Sequence, residues 1–143
     1  MSSISEHKRR IKEHLEEMQD AIIIGAEKRP ATIGFHASAC TVEMLEMYLH
    51  LSNLISTGKK VNHLWFKKPQ RGQKIEPLIE RKLTVSLPDK EKIYGLMYSI
   101  EESRDDLIYG KPRKGEVESV LESFRNFRNI MEKKIIEKGE TFE

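Results

Sequence analysis

The residues with the clearest chemical potential lie near the end of one predicted helix. Apolar residues follow a helical period through residues 93–108, and Arg104 occupies a position of that period where an apolar side chain is expected. A guanidinium keeps its charge, so one that points towards a core must find acceptors or line a cavity. Alternatively, Arg104 lies at the edge of the stripe, where its stem covers apolar surface and its head pairs with Glu101 or with solvent. Edge arginines are ordinary on amphipathic helices, so the pattern alone favours this second interpretation.

Two residues that follow Arg104 bear on catalysis. An arginine can stabilise the charge that builds on a phosphate during RNA cleavage, and a neighbouring group, usually a histidine, then moves the proton. Asp105 follows directly, and Tyr109 comes five residues after the arginine. A free tyrosine has a pKa of about 10 and is therefore a poor base at neutral pH. It can still donate a hydrogen bond to a phosphate oxygen.

A strongly basic segment lies between the second and third predicted helices. Residues 59–82 contain eight lysines and arginines against two glutamates, in a chain whose formal net charge is only +2. Cations beside the Trp65-Phe66 pair would suit phosphates and a stacked base. The alternative is a solvated connection in which these two rings plug the end of the core. The candidate nucleic-acid-binding residues are Lys59, Lys60, His63, Trp65, Lys67, Lys68, Arg71 and Lys74.

The other chemistry-bearing residues give weaker signals. His36 and Cys40 are four residues apart and share a helix face, so they could begin a zinc site with His63 as a distant third ligand. A core histidine and a buried thiol are the simpler interpretation of such a pair. Adjacent glutamates such as Glu101-Glu102 indicate solvated helix faces, and no glycine-rich phosphate loop is present. We therefore expect no metal ion and no cofactor.

The elements that position these residues are predicted to be helical. Apolar periodicity predicts a first helix from residue 4 to the break at Arg29-Pro30, and a second over 31–55 that is apolar nearly all round. A third is predicted over 88–108 and a fourth over 116–138. The predicted fold is an all-α, up-and-down four-helix bundle with a long basic connection between helices two and three. It forms one domain over residues 1–143, with a core of about 4–138 and fraying from Gly139.

Composition restricts the class of protein. One cysteine permits no internal disulfide and suits a reducing cytoplasm. No stretch is long and apolar enough to span a bilayer, and the first residues lack an apolar signal region, so we expect a cytoplasmic protein without membrane contact. The 34% of charged residues is typical of a thermophile. The excess of apolar residues on the second helix predicts a homodimer.

Two stretches of the chain resemble the HEPN superfamily, small helical bundles that are usually dimers and include many endoribonucleases. Residues 35–49 resemble the family's second helix, in which an aromatic-histidine pair (here Phe35-His36) leads into an alanine-rich face. Residues 104–110 resemble the family's signature at a helix end: an arginine, a polar residue, three further residues and a histidine. Tyr109 stands where the family has that histidine.

The resemblance implies a role for each matching residue. Arg104 corresponds to the catalytic arginine and Asp105 to the polar position after it. With Tyr109 in place of the histidine, the resemblance implies a non-catalytic or weakly catalytic module that binds RNA, nucleotide or a partner protein, such as a nucleotidyltransferase. One alternative is a metal-independent endoribonuclease in which His36 or Tyr109 moves the proton. A second is a structural subunit of another partner.

Overall fold

The computed structural model describes residues 3–68 and 77–143, and within these ranges the chain is helical and contains no strand. The all-α class predicted from the sequence is confirmed. Two short 3-10 turns lie at Ala26–Lys28 and His63–Phe66. The α-helices are α1 (Ile4–Gly25), α2 (Pro30–Leu51), α3 (Leu78–Lys82), α4 (Lys90–Ile108) and α5 (Glu116–Glu137).

Local chemistry explains where the helices begin and end. Ser3 and Glu6 form a capping box at the start of α1, in which each side chain accepts a hydrogen bond from the other residue's backbone N–H. Pro30 opens α2, where its missing N–H costs nothing. The predicted end of this helix at residue 55 is wrong. The chain turns after Leu51, because Asn53 adopts a left-handed conformation with φ 57°.

Helix α2 is the most buried element of the described chain. It packs against α1, α4 and α5, and its buried residues point in every direction around the helix axis, as its apolar sequence predicts. The thiol of Cys40 faces the Ile11 carbonyl oxygen on α1, and Gly34 lies against Leu107 on α4. The first contact joins α2 to α1, and the second pairs the start of α2 with the end of α4.

Part of the connection between α2 and α4 belongs to the core. Phe66 is only 1% exposed, and its ring meets the Tyr94 ring edge-on at 5.4 Å between centroids. Ile79, Leu83 and Leu87 are also buried. Phe66 therefore plugs the core as the structural interpretation predicted, whereas Trp65 is only partly buried. In the described ranges, no helix is long and apolar enough to cross a membrane.

The expected fraying from Gly139 is wrong, because the last residues fold back onto α1. Phe142 is 5% exposed, and Lys8 Nζ on α1 donates a hydrogen bond to Glu140 Oε1 at 3.0 Å. A buried aromatic ring near the terminus gives the tail enough apolar contact to stay attached.

We predict that Phe142→Ala lowers the free energy of unfolding by about 3 kcal/mol, because the substitution removes a buried ring. Ile136→Ala is the matched control, since this side chain is 57% exposed and its loss should change the free energy by less than about 0.5 kcal/mol. Urea denaturation of both variants measures the difference. Equal effects would show that the tail does not contribute to stability.

Candidate functional site

Arg104 lies at the end of α4 with most of its side chain covered. The side chain is 15% exposed, and its Nη1 lies 3.9 Å from Asp105 Oδ1. Its Nε is buried and has no hydrogen-bond partner among the described residues. Glu101, the partner considered from the sequence, is instead held by His63, whose Nδ1 lies 2.9 Å from Glu101 Oε2. Arg104 is thus a partly covered cation with only one long ion pair from its own helix.

A close approach of two helices fixes the position of this turn of α4. A Cβ atom on Gly34 would lie 2.8 Å from Leu107 Cβ, closer than real Cβ atoms come, so only glycine fits at this position of α2. Helices α2 and α4 therefore approach closely at Gly34 and Leu107, within one turn of Arg104 and Asp105 along α4.

We predict that Gly34→Ala costs about 1–3 kcal/mol of stability, because the added methyl group forces α2 and α4 apart. Gly95→Ala is the matched control within α4, because a Cβ there meets nothing within 4 Å. That change should stabilise the protein by about 0.5–1 kcal/mol through helix propensity. Thermal unfolding of both variants tests the difference in sign. A neutral Gly34→Ala variant would refute the close approach.

The connection folds back so that its lysines reach the carboxylates at the end of α4. Lys67 Nζ lies 4.0 Å from Asp105 Oδ2, and Lys68 Nζ lies 3.9 Å from Glu102 Oε2. All four side chains are more than half exposed. Asp105 therefore stands between two cations, Arg104 and Lys67. Long, exposed ion pairs of this kind contribute little to stability.

Two further predicted residues, His63 and Trp65, lie on the same turn of the connection. The Asn62 side chain caps this turn by accepting a hydrogen bond from the Leu64 N–H at 2.9 Å. Lys59 Nζ lies over the Trp65 ring, 5.6 Å from its centroid, and this is a cation–π contact. The turn thus presents a partly exposed aromatic face beside several cations.

A surface groove of about 330 Å³ lies between the connection and α4. Its floor includes the Phe66 and Tyr98 rings, and its rim carries the ion pairs of Lys67 and Lys68. Burial, reinforced by the charge of Glu80, raises the pKa of Tyr98, so this phenol keeps its proton at neutral pH. The groove therefore combines the neutral Tyr98 phenol with two lysines, Lys67 and Lys68, whose exposed ion pairs can be replaced by a ligand.

His36, the predicted replacement for the missing histidine, lies on a different face of α2 from the one that meets α4. Its Nδ1 is 2.8 Å from His14 Nδ1 on α1. Burial lowers the pKa of both imidazoles, and each of them favours the neutral form. Gly34 and Ser38, two residues to either side, are the ones that approach α4.

The remaining predicted residues are more dispersed. Tyr109 follows the last residue of α4 and is 78% exposed. Lys60 is exposed on the connection, and Arg71 and Lys74 lie outside the described residues. The structure thus brings His63, Lys67 and Lys68 of the connection against the α4 residues next to Arg104.

The structure also gathers three possible metal ligands that were not predicted from the sequence. The ligand atoms of His7 on α1 and of Glu46 and His50 on α2 all lie within 4.8 Å of one another. They are the only such group of three in the described ranges. One signal was present in the sequence, since His7 occupies a stripe position between Ile4 and Ile11. The four-residue spacing of Glu46 and His50 was the second.

Comparisons with protein-family models, with curated proteins and with solved structures found no match to this chain. Its function is therefore argued from the geometry of its own residues. The resemblance to the HEPN superfamily stays a prediction drawn from residues 35–49 and 104–110.

Proposed function

We propose that this chain is an HEPN-like module, built as an up-and-down bundle of α1, α2, α4 and α5, that binds single-stranded RNA. The binding surface is the end of α4 together with the connection at residues 59–68. The observation that carries the proposal is the state of Arg104. Its side chain is mostly covered, yet among the described residues its one ion pair is a long one to the adjacent Asp105. A phosphate would supply the acceptors that such a group needs.

Exchange of partners makes phosphate binding feasible at this surface. Lys67 and Lys68 form exposed pairs near 4 Å with Asp105 and Glu102, and such pairs contribute at most about 1 kcal/mol each. A phosphate diester can therefore replace the carboxylates at little cost. The carboxylates stay nearby and oppose the anion, which limits the affinity and makes it depend steeply on salt.

The Trp65 ring adds contacts that a simple anion lacks. It is partly buried against the core and lies under Lys59 Nζ. Base stacking on an aromatic ring contributes about 1–3 kcal/mol per base and tolerates any sequence. A ligand that offers both a phosphate and a base therefore suits the surface better than inorganic phosphate does, which favours RNA or nucleotide.

A second candidate function is metal-independent RNA cleavage at the same surface. His63 favours it, because the Glu101 carboxylate orients this imidazole one turn before Arg104. The His63 side chain is 31% exposed and accessible to a ligand. Binding without cleavage remains our first proposal, because His36 pairs with His14 on α1 and Tyr109 is 78% exposed, without the burial that holds a catalytic group in one position.

We predict that a fluorescent single-stranded RNA binds the protein with a log K against log salt slope of about −3, as expected for four phosphate contacts. The Lys67→Ala/Lys68→Ala variant should bind more weakly and reduce the slope by about 1.4. The matched control is Lys133→Ala/Lys138→Ala, which removes the same charge from exposed positions at the end of α5. Trp65 fluorescence reports stacking directly, since it is the only tryptophan.

The outcomes of this titration separate the candidates. An equal loss of RNA affinity in both double variants would show that only the net charge of the protein matters, and it would contradict the proposed surface. RNA that is cleaved in the presence of chelator by the wild type, and not by Arg104→Gln, would establish the nuclease instead. Absence of binding and of any Trp65 response at low salt would leave the structural-subunit interpretation.

The proposal includes a homodimer, as the resemblance implies. Ile23, Ile24 and Phe35 support it, because they expose 74%, 50% and 46% of their surface at the end of α1 and the start of α2. We predict a dimer in light scattering at micromolar concentration and its conversion to a monomer in Ile23→Lys/Phe35→Lys. A wild-type monomer would contradict this prediction.

A further inference from the structure

A second polar cluster lies inside the interface of α1 and α2. Glu46 Oε1 is 3.7 Å from His50 Nε2 and 3.9 Å from His7 Nε2. The side chains of His7, Glu46 and His50 are 0%, 6% and 8% exposed. These separations are too long for hydrogen bonds, so the three groups converge on a common point without bonding to one another.

Both imidazoles direct an unsatisfied nitrogen into this cluster. His7 Nε2 and His50 Nε2 are buried and have no hydrogen-bond partner in the described part of the chain. Buried polar atoms without partners are rare in folded proteins and cost free energy. Two of them facing one carboxylate oxygen call for a ligand that accepts lone pairs, and a metal cation is such a ligand.

The surroundings of His7 select the nitrogen that would bind a metal. Its Nδ1 lies 3.3 Å from Glu43 Oε1, and the other oxygen of that carboxylate accepts a hydrogen bond from Arg10 Nε at 2.6 Å. A carboxylate partner at Nδ1 keeps the proton there and leaves the Nε2 lone pair free. Carboxylate–histidine pairs of this kind orient the ligands of known metal sites.

The surroundings of Glu46 fix its orientation in the same way. Its Oε2 accepts a hydrogen bond from the Val61 backbone N–H at 3.0 Å. The other oxygen, Oε1, is therefore held towards His7 and His50. The connection that carries Val61 thus takes part in shaping the cluster.

We propose that His7, Glu46 and His50 form a binding site for a divalent first-row transition metal ion, with Zn²⁺ as the expected occupant. Two imidazoles and a carboxylate are a ligand set that Zn²⁺ uses, with bonds of about 2.0–2.2 Å. Tetrahedral bonds of that length separate the ligand atoms by about 3.3 Å. The two Glu46 separations therefore need to shorten by a few tenths of an ångström, and the two imidazole nitrogens, which lie within 4.8 Å of each other, by at most about 1.5 Å.

The three ligands lie outside the proposed RNA surface, although Val61 of the connection contacts Glu46, and their burial points to a stabilising role. Glu46 lies twelve residues along α2 from Gly34, which is about 18 Å at a rise of roughly 1.5 Å per residue. Three protein ligands leave the fourth position of Zn²⁺ to a water molecule, and the almost complete burial of the ligands leaves little room for a substrate. A metal there joins α1 to α2 and, through Val61, holds the connection, so binding stabilises the native fold.

The test is a Zn²⁺ titration of the chelator-stripped protein against a chromophoric competitor. We expect one Zn²⁺ per chain with a dissociation constant of about 1 µM or below and a higher thermal midpoint on binding. Glu46→Gln and His50→Gln should each weaken binding by at least about 100-fold, more than the loss of an outer partner. Glu43→Gln, which keeps all three ligands, should weaken it by about 10-fold to 100-fold.

His14→Gln is the matched control, because it removes an imidazole from the neighbouring His14–His36 pair and should leave the affinity unchanged. Circular dichroism in chelator verifies that each variant is folded. If a ligand variant unfolds, Co²⁺ absorption of the wild type shows whether nitrogen ligands bind a metal. Absence of one-to-one binding, full binding in both Glu46→Gln and His50→Gln, or loss of binding in His14→Gln would each overturn the proposal.

Discussion

The burial of α2 against three other helices is the constraint on which the rest of the structure depends. A helix enclosed on several sides cannot direct a polar side chain into bulk water, so every polar residue on it needs a partner inside the protein. Thr41 meets this demand locally, through a hydrogen bond to the Ser38 carbonyl oxygen. Glu46 meets it at one oxygen with the Val61 N–H and leaves the other facing two histidines. Glutamate usually lies on the surface of a protein, but burial on α2 makes Glu46 part of a candidate site.

The same burial explains why the helices could be predicted from the sequence while their contacts could not. Apolar periodicity and prolines are local signals, and they located all four long helices within a few residues, apart from the end of α2. The end of α2 was predicted wrongly because Asn53 adopts a left-handed conformation, which an apolar pattern does not predict. The burial of Phe142 was not predicted, because the short segment that follows α5 contains too few residues to show an apolar periodicity.

Candidate sites were harder to predict, because each of them joins residues from distant parts of the chain. Arg104 and His7 gave the same signal, a polar side chain on an apolar stripe. The apolar stripe shows that such a residue faces other helices. It does not show which residues of those helices contact the side chain. For His7 the partners are Glu43 and Glu46, nearly forty residues away along the chain. Arg104 pairs with the adjacent Asp105, whose other carboxylate oxygen lies near Lys67 of the connection.

The polar groups at the end of α4 and those of the His7–Glu46–His50 cluster differ in how their charge is balanced, and this difference separates their chemistry. At the end of α4, the cations and carboxylates are mostly exposed and paired near 4 Å, so solvent and salt compete with every interaction. Such a surface suits a large, reversible, charged ligand. The His7–Glu46–His50 cluster is almost free of solvent, and its groups are held by second partners that are themselves buried or half-buried. Rearrangement there is costly, so the cluster suits a small ion bound at fixed geometry. A reversible surface at the end of α4 and a rigid centre between α1 and α2 can therefore coexist, because Glu46 lies about three turns along α2 from Gly34, where α2 meets the end of α4.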